Sequence, residues 1–288
     1  MATIERAQPW LGTVVAIRAD GVEDDALAHH AISAAFAEVA TVHRLMSFHA
    51  PDSDVSRLNR DAARRCVPVD WRTREVLAMA QTMHRMSEGV FDIAIGGVLA
   101  HAGALPCPAP ARVDLDATAA SIALDDNGVR FHDALWIDLG GIAKGYAADR
   151  AAAVLQQHGV HQGRIDAGGD LRLLGAGPHR VYLDAGGDIG PMQAALDTGE
   201  GAIATSSNEA AIRARNPLPC GVHRHGRTKE HAAPGRTVSV LADQAMVADA
   251  LTKVVMALGP SAGAVLALAG ATAYLREKGT WASIRDAA

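Results

Sequence analysis

Cysteine is scarce in this 288-residue sequence: only Cys66, Cys107 and Cys220 occur, and no C-x-x-C pair is present. An odd count without zinc-ligand spacing supports neither a disulfide framework nor a cysteine zinc site. We therefore interpret the three cysteines as reduced structural thiols.

The sequence also has no excess of basic over acidic residues. The formal net charge is -5 and the pI is about 6.2, whereas binding to a nucleic-acid backbone requires a basic face. This balance argues against nucleic acid as the main partner.

The N-terminal region lacks a long apolar run. The stretch from Leu11 to Ile17 is interrupted by Gly12 and Thr13, and no basic leader or cleavage site accompanies it. We predict no signal peptide and no transmembrane span. The cytoplasm is then the expected location, unless a leader has been removed.

Aromatic residues make up only 4% of the chain, but 49% of its residues are hydrophobic and 20% are charged. These proportions are typical of a soluble globular protein. The length allows a large buried core in one large domain or in two intimate ones.

Hydrophobic periodicity predicts the main elements. Helices are predicted from Asp24 to Met46 and from Asp70, as the cap, to about Glu88. One strand is predicted from Trp10 to Ala19. The remaining expectations are a turn and short helix after Pro51, a hairpin at Asn127-Gly128, strands over 202–208 and 237–241, a loop over 216–236, a helix over 245–258, and a last helix and strand up to Tyr274.

The stretch from Ile137 to Arg150 organises the rest of the chain. It is predicted as a short strand, a Gly-Gly turn, and a helix from about Ala143 to Gly159. A glycine turn before a helix N-terminus suits a phosphate or pyrophosphate. The spacing fits neither a Rossmann fingerprint nor a P-loop, and for a lone Gly-Gly pair a tight connection without a ligand is the favoured interpretation.

The pattern of an apolar residue, Asp, an apolar or small residue and paired glycines recurs at 137–141, 165–169 and 183–187, and a related run precedes Gly96. The separations are unequal, so the chain is not a solenoid. Strand ends that converge on one cleft would explain the recurrence. Repeated use of good turn chemistry explains it equally well.

A second group lies on the helix predicted over 245–258. Asp249 and Thr252 are three residues apart and project from one face, where they could share an oxygen-seeking cation. Lys253 lies one turn from Asp249. By themselves, an Asp and a Thr on a helix more often form a solvated face.

Taken together, these residues resemble the flavin transferases of the ApbE type, which act as FAD:protein FMN transferases. The matching blocks follow the family order from Pro9 to about Leu266: W-L-G-T at 10–13, M-S at 46–47, P-D-S-D-V-S-R-L-N at 51–59, F-D-I at 91–93, D-L-G-G-I-A-K-G-Y-A-A-D at 138–149, D-A-G-G-D at 166–170, A-T-S at 204–206, and A-D-A-L-T at 248–252.

The resemblance implies a single α+β domain over residues 1–288, with T-fold-like antiparallel sheets, packed helices and a flavin cleft between them. It also implies a set of residues that bind FAD, namely Leu11, His49, Phe91, Asp92, Gly140, Lys144, Tyr146 and Thr205. Mg²⁺ would lie at the pyrophosphate, held by the carbonyl of Ala143 and the side chains of Asp249 and Thr252. Phe48, Phe91 and Tyr146 are the rings available to the flavin.

The implied reaction moves FMN from FAD to a Thr or Ser of a partner protein, within a small-residue motif such as D-G-x-S/T-G-A-T/S, and releases AMP. Mg²⁺ and backbone N–H groups would stabilise the charge that develops on phosphate. The alternatives are an FAD pyrophosphatase that uses water as the acceptor, a non-catalytic FAD-binding protein, and a protein of this fold with an empty cleft.

Two departures from the family pattern affect these expectations. Lys253 stands where a hydroxyl is common, and an ammonium cannot ligate Mg²⁺, so metal dependence is expected to be weaker than in relatives. The family's H-I-I-D-P-R-T-G block is replaced by residues 222–229. His223 and His225 are both candidates for the catalytic histidine, and a basic surface loop is the alternative interpretation.

Overall fold

The computed structural model describes residues 2–107, 113–183, 194–208 and 223–284. The helices are α1 (Asp25–Met46), α2 (Asp54–Asp61), α3 (Trp71–Met86), α4 (Gly96–His101), α5 (Ala143–Gln157), α6 (Ala245–Leu258) and α7 (Gly263–Leu268). The strands are β1 (Ala2–Trp10), β2 (Thr13–Val22), β3 (Ile122–Asp125), β4 (Gly128–Phe131), β5 (Gly163–Ala167), β6 (Leu171–Leu174), β7 (His179–Leu183), β8 (Ala194–Thr198), β9 (Gly201–Ser207), β10 (Thr237–Ala242), β11 (Thr272–Glu277) and β12 (Thr280–Ile284).

Eight strands form one antiparallel sheet in the order β1-β2-β5-β6-β9-β10-β11-β12, and β3-β4 and β7-β8 are separate hairpins. Helices α1, α5 and α6 pack on this sheet and on one another. The side chains between the helices and the sheet form the main core. The predicted α+β class with antiparallel sheets and packed helices is confirmed.

The strand predicted from Trp10 to Ala19 is confirmed from Thr13 onward as part of β2, but Trp10 belongs to β1, and Leu11 and Gly12 are not in a strand. Leu11 and Gly12 have φ values of 58° and 72° and form the two-residue turn between β1 and β2. Two consecutive residues with positive φ are the signature of a tight hairpin turn. The turn places Leu11 at the end of the sheet, beside the cavity described below.

The predicted helices are largely confirmed. Asp24 caps α1 by accepting two N–H groups, Ser53 caps α2, and Asp70 caps α3. Strands β9 and β10, the hairpin at Asn127-Gly128, and helix α6 also lie where the sequence predicts them. The predicted loop over 216–236 and the glycine pattern at 183–187 fall partly outside the described residues, as does Cys220.

The short strand predicted to begin at Ile137, ahead of the Gly140-Gly141 turn, does not form. Asn59 on α2 makes both hydrogen bonds that a neighbouring strand would supply: its Oδ1 accepts from the Ile137 N–H at 2.7 Å and its Nδ2 donates to the Ile137 carbonyl at 2.9 Å. Buried backbone groups must be paired. The Asn59 amide therefore holds the segment that leads into the Gly140-Gly141 turn.

The N-termini of α5 and α6 meet at a junction formed by two carboxylates. Asp149 on α5 accepts from the N–H groups of Ala245 and Met246, each at 2.9 Å. Asp249 on α6 accepts from the N–H of Gly145 at 3.2 Å. Each helix thus supplies an anion to the positive end of the other.

The stretch Ala245–Leu268 is long and apolar enough to cross a membrane by composition, but half of that stretch is buried within the fold. It consists of α6, a short 3₁₀ turn and α7, and α6 packs against β9 and β10. Because α6 also holds the fully buried Asp249 and Thr252, it is a core helix of this fold.

Replacing Asn59 by Ala is expected to lower the free energy of unfolding by about 1–3 kcal/mol, because the N–H and carbonyl of Ile137 would stay buried without partners. Urea unfolding followed by circular dichroism measures the loss. Gln156→Ala removes an amide from the exposed face of α5 and should change stability by less than about 0.5 kcal/mol. Equal values for the two variants would contradict the role of Asn59.

Replacing Gly145 by Ala is expected to destabilise the fold by about 1–3 kcal/mol, because the new Cβ would lie 2.1 Å from the carbonyl oxygen of Ala245. That oxygen belongs to the backbone, so α5 and α6 must move apart. Gly199→Ala is the matched control, since its Cβ would have only one neighbour within contact distance, at 3.5 Å. Thermal unfolding compares the two, and a wild-type melting temperature for Gly145→Ala would reject the close contact.

Candidate active site

A cavity of about 640 Å³ opens where several chain segments meet. The β1–β2 turn, the residues after α1, the loop after α3, the 138–141 turn, the start of α5 and one residue of α6 all line it. His223 and Arg224 close another side. A volume of this size is typical of sites for cofactor-sized molecules.

One wall of the cavity is apolar. Phe48, Phe91, Ile93 and Leu99 line it, and all four are buried. Tyr146, the third predicted ring, is not among the lining residues. It lies within the core, where its hydroxyl donates to Glu75 Oε2 at 2.7 Å, so it does not offer its ring to this cavity.

Two lysines and two aspartates form the polar end. The ammonium of Lys144 pairs with Asp170 Oδ2 and lies 3.4 Å from Asp249 Oδ2. Burial by itself would raise the pKa of Asp249, but Lys144 and Lys253 hold it at about 2. Burial and the charge of Asp249 instead raise the pKa of Asp170 to about 6.

Lys253 reaches the cavity from α6. Its ammonium lies 2.5 Å from Asp249 Oδ1 and 3.0 Å from both Ser206 Oγ and Thr252 Oγ1. Its aliphatic stem passes over Gly141, where an added Cβ would lie 3.2 Å from Cε of the lysine. Gly141 therefore leaves room for the Lys253 side chain.

The predicted solvated face of α6 is wrong, because Asp249 and Thr252 are fully buried. They lie together as the cation hypothesis requires, and Ala143 lines the cavity nearby. The cation beside them is the ammonium of Lys253. These residues do not fit a divalent ion as they are arranged.

The two candidate histidines have different surroundings. His223 lines the cavity, and burial, with Lys253 as the second cause, lowers its pKa to about 3. Its imidazole is therefore neutral at neutral pH. His225 is not among the lining residues, and its Nδ1 accepts from the N–H groups of Arg227 and Thr228 at 3.2 Å, which stabilises a turn.

The recurring Asp-Gly-Gly pattern has two outcomes. Asp92 and Asp138 both line the cavity, so two of the segments converge on one site. Asp166 instead accepts from the N–H of Gly169 at 2.9 Å in the turn after β5. The predicted convergence on one cleft is thus confirmed for Asp92 and Asp138, although neither lies at the end of a strand, and the turn interpretation is confirmed for Asp166.

One carboxylate oxygen of Asp92 accepts hydrogen bonds from residues that the structure describes, and the other does not. Oδ1 accepts from the N–H groups of Ala94 and Ala119. Oδ2 has no hydrogen-bond partner within the described part of the chain, although the ring of His84 lies 3.4 Å away. Burial raises the pKa of this carboxyl.

Of the other predicted binding residues, four line the cavity and Thr205 contacts a residue beside it. Leu11, His49, Gly140 and Lys144 line the cavity. Thr205 does not; its hydroxyl pairs with Ser239 at 2.9 Å and its N–H donates to Asp170 Oδ1 at 3.3 Å. Thr205 therefore acts through Asp170.

Sequence reasoning missed several residues of the site. Arg224 lines the cavity, and its buried Nε has no partner among the residues that the structure describes. His43 lines the cavity as well, and Ser206 and Asp170 bind its lysines. Asp170 had a usable signal, since it follows the Gly168-Gly169 turn in one of the quoted motifs.

Curated relatives share modest identity with this chain. The FAD:protein FMN transferase of Vibrio cholerae is 26% identical over 243 residues, which is 78% of this chain and 72% of that protein. The protein of the same name from Rhodobacter capsulatus is 28% identical over 260 residues, or 83% of this chain and 48% of the relative. The chain thus spans about half the length of that second relative.

Solved structures share the fold along the whole chain. The ApbE protein of Thermotoga maritima has a TM-score of 0.81 at 25% identity and covers 99% of this chain and 97% of its own. The flavin transferase ApbE of Vibrio cholerae has a TM-score of 0.83 at 21% identity, with coverage of 99% and 97%.

A family model described as the ApbE family matches residues 11–275. The match includes both the 138–149 turn and helix and the Asp249–Thr252 segment of α6. Because it extends over far more than half of the sequence, this chain belongs to the ApbE family.

Proposed function

We propose that this chain transfers FMN from FAD to a Thr or Ser hydroxyl of a partner protein and releases AMP. The observation that carries the proposal is one cavity that joins an apolar wall to two lysines, Lys144 at the start of α5 and Lys253 on α6. Membership of the ApbE family and the name of the curated relatives, FAD:protein FMN transferase, support it.

The cavity suits the two chemically different parts of FAD. The flavin ring system is planar and aromatic, and its faces would pack on Phe48 and Phe91. The pyrophosphate would lie near Lys144 and Lys253, beside the Gly140-Gly141 turn, where small residues allow close approach to the backbone. Asp92 and Arg224 line the same cavity and would lie near polar groups of the ligand.

The reaction is a phosphoryl-type transfer in which positioning and electrostatics dominate. The acceptor hydroxyl oxygen bonds to the phosphorus of the FMN half, the bond from that phosphorus to the bridging oxygen breaks, and AMP leaves with the bridging oxygen. The two lysines stabilise the charge on the phosphate oxygens. Neutral His223 has a ring nitrogen that can take the hydroxyl proton.

Magnesium, which the resemblance implies, stays a prediction that the arrangement of these residues does not favour. When bound, the ion would polarise the phosphate oxygens, and Asp249 and Thr252 would be its side-chain ligands. Both face the Lys253 ammonium instead. No step of the proposed reaction is therefore assigned to a metal.

Transfer of FMN is tested by supplying an acceptor protein. The full chain is incubated with FAD and with proteins that carry a D-G-x-S/T-G-A-T/S segment, with and without Mg²⁺, and the products are separated by denaturing electrophoresis and chromatography. We expect a flavin-fluorescent acceptor and an equal amount of AMP. AMP without label would indicate a pyrophosphatase, and bound FAD that stays intact would indicate a binding protein; either result contradicts transfer.

Replacing His223 by Ala is expected to slow transfer by about a hundredfold to ten-thousandfold, the usual contribution of a positioned acid or base, with FAD affinity little changed. Single-turnover labelling measures the rate, and flavin fluorescence measures binding. His132→Ala removes an exposed histidine that does not line the cavity and should leave the rate unchanged. A comparable loss in His225→Ala, with His223→Ala active, would contradict the assignment.

A further inference from the structure

The ammonium of Lys253 lies in a site built from three oxygens. Asp249 Oδ1, Thr252 Oγ1 and Ser206 Oγ surround it at 2.5 to 3.0 Å. Two of these residues, Asp249 and Thr252, are the pair whose spacing indicated a cation site. A carboxylate and two hydroxyls are oxygen ligands of the kind that hard cations take, but here they bind a side chain of the same protein.

The remaining carboxylate oxygens near this site are also committed. Asp249 Oδ2 accepts from the N–H of Gly145 and faces Lys144. Lys144 also pairs with Asp170, whose Oδ1 accepts from the N–H of Thr205. Two ammoniums therefore balance two carboxylates. Asp138 also lines the cavity and is a third carboxyl that interacts with Lys253, and burial raises its pKa. A divalent ion added to this cluster would meet two positive charges, and the two carboxylates that contact the ammoniums are already paired.

The fold leaves room for Lys253 on the cavity side. Its stem lies over Gly141, a position where a side chain would press on Cε and Cγ at 3.2 and 3.4 Å. The side chain is 16% exposed and lines the cavity. The ammonium of Lys253 thus contacts buried oxygens of the protein, and its side chain also faces the cavity, where a ligand can contact it.

We propose that Lys253 is the resident cation of this site: its ammonium replaces a divalent metal ion beside the phosphates of FAD, so the protein binds FAD without one. This inference rests on the proposed function, because it assumes that the cavity takes the dinucleotide. It assigns Lys253 to the binding machinery. The positive charge at the polar end of the cavity is then carried by the protein itself and is present before FAD binds.

The first test uses the unmodified full chain. FAD is titrated, with flavin fluorescence as the readout, in EDTA and then in excess MgCl₂. We expect the two dissociation constants to agree within about twofold, since the charge is supplied by the protein. A requirement for Mg²⁺ would overturn the inference and leave the proposed function standing. Failure to bind FAD both in EDTA and in MgCl₂ would overturn the proposed function itself.

The second test changes the lysine. Lys253→Met keeps most of the stem over Gly141 and removes the charge, so FAD affinity in EDTA is expected to fall about tenfold to a hundredfold, as for a lost charged hydrogen bond. Lys278→Gln removes one charge from an exposed turn and serves as the control, with unchanged affinity. Wild-type affinity for Lys253→Met would overturn the proposal. Circular dichroism establishes that each variant is folded.

The third test measures metal binding directly, without FAD or turnover. Isothermal titration with MgCl₂ alone is expected to give no binding heat for the unmodified chain. Lys253→Thr vacates the place of the ammonium beside Asp249 and Thr252, and it should gain both a Mg²⁺ binding isotherm and Mg²⁺-dependent FAD affinity. Specific binding of Mg²⁺ by the unmodified chain, at the same strength as by Lys253→Thr, would refute the substitution of metal by lysine.

Discussion

The arrangement of this site depends on the junction of α5 and α6, where each helix provides a carboxylate to the N-terminus of the other. Asp149 binds the first N–H groups of α6, and Asp249 binds the N–H of Gly145 on α5. The N-terminus of a helix has unpaired N–H groups and a positive dipole end, so the two contacts fix the helices in position and in orientation. Lys144 directly precedes Gly145, and Lys253 lies about one helical turn after Asp249.

Gly145 has a different purpose from the one its motif suggests. A glycine after a turn and before a helix is typical of close approach by a phosphate, but here the close neighbour is the backbone of Ala245. Gly140 and Gly141 of this motif do line the cavity, and Gly141 makes space for the stem of Lys253. Small residues in one motif thus allow two separate contacts, one between helices and one between a side chain and the turn.

Burial and pairing with lysines set the charge states of the aspartates at the polar end of the cavity. Lys144 and Lys253 hold Asp249 ionised, whereas Asp170, which shares Lys144 with it, has a raised pKa. Buried charges are retained only when they are paired, and this explains why the cluster contains equal numbers of lysines and aspartates. An anionic ligand that enters the cavity would meet ammoniums that are already fixed in place. Preorganised charge of this kind costs little rearrangement when the reaction occurs.

The sequence by itself determined most helices, some of the strands and the segments that contribute to the site, because helical spacing, capping residues and turn glycines are local signals. It indicated the pairing of Asp249 with Thr252 through their spacing on one helix. Only the tertiary structure decided that these two are buried, that His223 and not His225 lines the cavity, and that Tyr146 points into the core. Those outcomes depend on contacts between residues far apart in the chain, such as Asn59 with Ile137, and local periodicity carries no information about such contacts. The same limit explains the hairpin turn at Leu11, since an unusual positive φ at a leucine is imposed by the pairing of β1 with β2.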